Sequence, residues 1–97
     1  MDAVFSKPVF NLGAIRCTPS VLQLYRAGRL DIHQIIARHH HGDWGDLSDQ
    51  DKTLNDHALL MEPGRLLSRY VVDEHIAVYV ITEADRSCTT ILRTEEY

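Results

Sequence analysis

The sequence predicts an α+β fold: one small domain in the order β-α-α-α-β-β-β, with an antiparallel sheet of three to four strands and the helices packed on one face. Three observations carry this expectation. Apolar residues recur at helical spacing through the first half of the chain, the pattern changes to alternation after Arg65, and 97 residues suffice for one modest core. A chain of this length buries roughly 60–65% of the surface it exposes when extended, so residues 1–97 are read as a single domain.

Val9 to Cys17 is rich in β-branched and apolar residues and reads as a first strand, stopped by Thr18-Pro19. Thr18 can cap a helix and Pro19 suits its first position, where a backbone N–H would have no partner. That helix runs to Ala27 with Val21, Leu24 and Tyr25 as its apolar stripe, and Gly28 ends it. Asp31 is the next N-cap. Ile32, Ile35 and Ile36 follow at the spacing of one buried face, and His39 is the next position on that face. His40 then lies on the flank and His41 begins the exit, with Gly42 and Gly45 breaking the helix around Trp44.

Ser48 opens a third helix with Asp51 as an imperfect capping-box partner. Leu47, Leu54, Ala58 and Met61 are expected on its buried side, with Asp51 and Asn55 as a polar ridge beside them, and Pro63-Gly64 ends it. From Arg65 onward Leu66, Ser68, Tyr70 and Val72 point one way while Leu67, Arg69 and Val71 point the other. Asp73-Glu74 reverses the chain into Ile76 to Thr82, whose near-continuous hydrophobicity suits a central strand. Glu83 to Arg86 is a polar turn, and Thr89 to Leu92 is the last strand.

Composition narrows the function. Apolar residues make up 44% of the chain and charged residues 25%, the ordinary globular balance. The formal charge is −4 and the eight arginines are scattered from Arg16 to Arg93, so no basic stripe offers itself to nucleic acid. No signal peptide or membrane-length apolar run is visible, which points to the cytoplasm and to no membrane partner. Cys17 and Cys88 form no Cys-x-x-Cys motif and are read as free thiols in a reducing compartment.

Two dense stretches stand out, Arg38 to Leu47 and Ile81 to Ser87. The first holds the only tryptophan and three of the six histidines. Adjacent helical residues point about 100 degrees apart, so His39, His40 and His41 cannot share one ion. A metal site would need His39 with Asp43, Asp46 or His57, in none of the diagnostic spacings, and no cofactor is expected. A small hydrolase or metal-dependent enzyme built on His39 with Asp43 or Asp46 is the enzymatic alternative. Trp44 is expected in the core or at its edge. Arg86 is expected to reach Asp43 or Asp46 and lock the two stretches together. The residues proposed for binding are Asp43, Trp44, Asp46, Glu83, Asp85 and Arg86, with an unidentified protein as partner. A purely structural role for these residues is the third reading, and exposed sheet edges leave room for a homodimer.

A resemblance adds to this. Arg38-His39, Gly42 to Leu47, Asn55, Ala58-Leu59, Arg65, Leu67-Ser68, Tyr70, Ile81 to Ser87, Thr89-Thr90, Leu92 and Glu96-Tyr97 form a pattern similar to that of a family of small bacterial proteins. Members of that family are often carried on plasmids, phages and other mobile elements, and some are labelled plasmid-related proteins. The resemblance spans about Thr18 to Tyr97; residues 1–17 lie outside it. It implies an accessory protein of the mobile gene pool that acts by binding, and it brings no activity with it.

Overall fold

The computed structural model describes residues 8–61 and 64–97. Strand β1 (Ala14–Cys17) leads into helices α1 (Pro19–Arg26), α2 (Ile32–His40) and α3 (Asp49–Leu60); strands β2 (Leu66–Asp73), β3 (Ile76–Thr82) and β4 (Cys88–Arg93) follow, closed by a 3-10 turn at Thr94–Glu96. The α+β order is the expected one. Each helix starts on the expected cap: Thr18 Oγ1 accepts the Val21 N–H, Asp31 the Gln34 N–H and Ser48 Oγ the Asp51 N–H. The end expected at Pro63 falls outside the described residues.

The sheet order is β1-β4-β3-β2. β2, β3 and β4 form the antiparallel meander, while β1 joins β4 in parallel, so the sheet is mixed. A parallel edge requires a long crossover, and the three helices supply it. β1 is shorter than expected. Gly13 takes a left-handed φ of 66° where the chain passes so close to Ser87 that a β-carbon would collide with its carbonyl. Val9 is already committed elsewhere, its N–H donating to His40 O at 3.0 Å.

The core lies between α1, α2 and one sheet face. Val21, Leu24, Leu30 and Ile35 pack there against Tyr70, Ile76, Val78, Val80 and Ile91. Register explains the set: Ser68 aligns with Val80, Tyr70 with Val78, and Val80 with Ile91, so their side chains share a face. Tyr25, expected on the buried stripe, is instead 40% exposed, with its hydroxyl 3.5 Å from His33 Nε2.

α3 departs most from expectation. Leu54, Leu60 and Met61 face solvent, and Asn55 is the buried residue of the helix. The cause is its place beside the outer edge of β2, where the sheet presents backbone polar groups and not apolar side chains. Asn55 answers both: Leu67 N–H donates to its Oδ1 at 3.0 Å and its Nδ2 donates to Leu67 O at 2.6 Å. No helix among the described residues is long and apolar enough to cross a membrane.

Candidate functional site

The chain from Gly42 to Asp46 leaves α2 and docks on the same edge of β2, one pleat further along. Arg69 N–H donates to Trp44 O at 3.1 Å, and Asp46 N–H donates to Arg69 O at 2.6 Å. Gly45, at a φ of 77°, lies against the Arg69 carbonyl and the Tyr70 ring, where any β-carbon would collide with both. Glycine is therefore required there by conformation and by space.

The two aspartates of this loop are ion-paired locally. Asp43 takes a forked contact from Arg38, with Nε at 2.6 Å and Nη2 at 3.3 Å, and also accepts the Gly45 N–H. The Arg38 guanidinium holds the Asp43 carboxyl below its usual range. Asp46 pairs with Arg69 at 2.8 Å. The expected bond from Arg86 to Asp43 or Asp46 is therefore not made, because nearer arginines already occupy both carboxylates.

Arg86 points the other way. Its Nη1 donates to Gly64 O at 2.6 Å and Glu83 O at 3.1 Å, and its Nη2 to Ala58 O at 3.3 Å. It thus donates to a carbonyl in the last turn of α3, where carbonyls run short of intrahelical donors, and steadies its own turn. Its φ of 60° is the one left-handed non-glycine conformation among the described residues. Glu83 pairs with Arg65 at 3.3 Å, and Asp85 accepts the Ser87 N–H at 2.9 Å; hydrogen bonding from the Ser87 side chain and then from its backbone lowers the Asp85 pKa.

The two dense stretches still meet, by indirect means. The Trp44 indole, only 5% exposed, donates from Nε1 to Asp56 Oδ1 on α3 at 3.1 Å. The same helix receives Arg86 two residues later, at the Ala58 carbonyl. Phe10 completes the link, stacked on Trp44 at 6.2 Å and edge-on to His39 at 5.1 Å, with the Arg86 guanidinium 6.0 Å over its ring.

Beneath this lies a buried polar chain. His39 is fully buried; its Nδ1 is 2.6 Å from Ser68 Oγ and its Nε2 is 2.9 Å from Thr82 Oγ1. Thr82 Oγ1 is 2.7 Å from Thr89 Oγ1, and the Thr89 hydroxyl donates to Leu12 O at 2.7 Å. The hydrogens follow by elimination. Thr89 has spent its hydrogen on a carbonyl, so Thr82 donates to Thr89, and His39 donates to Thr82 from Nε2. Nδ1 is then the acceptor for Ser68. Burial, with His40 and Arg86 adding repulsion, pushes the His39 pKa down to about 3.

The residues weighed for metal or hydrolytic chemistry are thus parted: His39 is closed from solvent with both nitrogens engaged, and Asp43 and Asp46 each hold a separate arginine. Among the described residues no three His, Cys, Asp or Glu side chains gather as metal ligands. The sequence reading missed Ser68, Thr82 and Phe10, whereas Thr89, with Ser87 and Thr90, is among the hydroxyls it weighs as a partner for His39. One signal was present for Ser68, a hydroxyl in the inward register of an otherwise apolar alternation, since buried polar groups imply partners. No protein family model matches this chain, and neither a curated protein nor a solved structure does.

Proposed function

We propose that the protein is a small non-enzymatic binding module, a cytoplasmic accessory of the mobile gene pool, that docks another protein on the outward face of α3. One observation carries the reading. Leu54, Leu60 and Met61 are 61%, 81% and 74% exposed on one helix and its C-cap, and that helix is held to the body by polar contacts from Asn55, Asp56 and the Ala58 carbonyl. A helix attached by its polar residues and showing apolar ones to water has its hydrophobic side turned toward a partner. The exposed Asp49 and Asp51 of its first turn define the rest of the surface. The fitting partner is a protein with an apolar groove bordered by basic residues.

This reading moves the contact away from Asp43, Trp44 and Asp46, which the fold uses internally. Arg86 joins the turn carrying Glu83 and Asp85 to the C-terminal end of α3, so those two carboxylates form the border of the surface. The test is photocrosslinking in the host from a reactive residue placed at Leu60, followed by purification of the partner and rebinding. A Leu54→Asp/Met61→Asp variant should keep its melting temperature and lose at least about tenfold in affinity, the scale of truncated interface anchors. Unchanged binding by that variant overturns the reading.

A further inference from the structure

The two edges of the sheet are finished differently. On β2, Asn55 closes Leu67 and the Trp44–Asp46 segment closes Arg69. On β1 no such cover exists among the described residues. Ala14 N–H donates to Ser87 O at 3.0 Å and Thr18 N–H to Ile91 O at 3.1 Å, so even-numbered residues direct their backbone groups at β4. Alternation then turns the N–H and C=O of Ile15 and Cys17 outward. The Ile15 side chain is 52% exposed, on the helix-bearing face, and Arg16 is exposed on the opposite face.

We infer that this edge accepts an extended peptide segment of another protein with the pattern apolar-acidic-apolar, the acidic residue standing opposite Arg16. In an antiparallel register centred on Arg16, Ile15 and Cys17 each exchange two backbone hydrogen bonds with the incoming strand. The residues opposite them fall on the helix-bearing face, beside the exposed Ile15. The residue opposite Arg16 falls on the helix-free face, where an opposite charge is favoured and a like charge opposed. That rule also argues against a second copy of this chain. In this register its two-fold pairing would set Arg16 directly against Arg16 of the copy.

The inference goes beyond the α3 reading and uses the other end of the sheet, so each can fail alone. The probe is a pair of capped peptides, Thr-Val-Glu-Val-Thr and Thr-Val-Lys-Val-Thr, added to the isotope-labelled whole chain. Addition of the glutamate peptide should shift the Ile15 and Cys17 amides and slow their hydrogen exchange. It should bind on the order of fivefold tighter than the lysine peptide, the scale set by one cross-strand charge pair. Arg16→Glu should reverse the preference, and the peptide comparison on the unaltered chain holds whether or not that variant folds. Three results would overturn the inference: no shift at millimolar peptide, equal binding of the two peptides, or self-association through Ile15 and Cys17 without peptide. Shifts confined to Leu54, Leu60 and Met61 would also overturn it while leaving the α3 surface in place.

Discussion

His39 is neutral in the folded protein because charging it would place a cation in a fully buried site beside His40 and Arg86. The folded-state pKa of about 3 lies below the ordinary 6.5, so folding excludes a proton that the unfolded chain accepts. The stability that depends on neutral His39 is present above pH 6.5 and is lost progressively as pH falls from 6.5 toward 3. The slope is at most ~1.4 kcal/mol per pH unit. Denaturant unfolding between pH 6.5 and about 5, above the range where ordinary carboxylates titrate, should show this slope. A His39→Gln variant should be less stable at neutral pH and nearly flat over the same interval. Nitrogen chemical shifts of the ring at neutral pH should show the hydrogen on Nε2; a hydrogen on Nδ1 would contradict the orientation drawn from Leu12 O.

At the scale of elements, α3 separates attachment from hydrophobic burial. Its tie to β2 is a side-chain amide that copies the pairing of a missing strand, donor to carbonyl and acceptor to N–H. Asn55→Leu, which is close in size, should cost about 2 kcal/mol or more, because it leaves two backbone groups of Leu67 without partners beside the helix. Asn55→Asp should recover part of the loss, since it keeps the acceptor for Leu67 N–H. Urea denaturation of the three proteins measures the ranking; equal midpoints would show that the amide contributes nothing. Sequence reasoning placed this helix correctly and oriented it wrongly for one reason. Periodicity reports where apolar residues recur, and here Leu54 and Met61 recur on a side that the fold leaves in water, while Ala58 between them is only half-buried. The caps were legible because Thr18, Asp31 and Ser48 act within one turn of themselves. The partners of Asp43, Asp46 and Arg86 were not, since several arginines compete for each carboxylate and only the packed chain ranks the distances.

Across the whole molecule, the helices cover one side of a four-stranded sheet whose far strand is contributed by the first part of the chain. Register puts the two cysteines on opposite faces, because Cys17 aligns with Ile91 and Cys88 precedes Thr89, which lies on the Ile91 face. Both thiols are free, and no relaxation of a packed sheet would bring their sulfurs within bonding distance. Denatured under non-reducing conditions, the protein should react with two equivalents of a thiol reagent per chain. A value near zero would require a different pairing of β1. The order of elements and the central place of β3 were readable from hydrophobic pattern alone. The parallel direction of β1 was not, because a four-residue strand carries no mark of the direction in which its neighbour runs.

That parallel strand also sets a constraint in time. The ribosome makes Ala14 to Cys17 before the other strands, yet the residues they pair with, Cys88 to Ile91, emerge more than seventy positions later. Throughout synthesis the first strand has no sheet to join, and the helices following it have no β4 against which to rest. The hairpin of β2 and β3 forms from near neighbours and does not have to wait. The β1–β4 pairing can therefore be made only after β4 has emerged, and Gly13, against the Ser87 carbonyl, marks where the first strand is then seated.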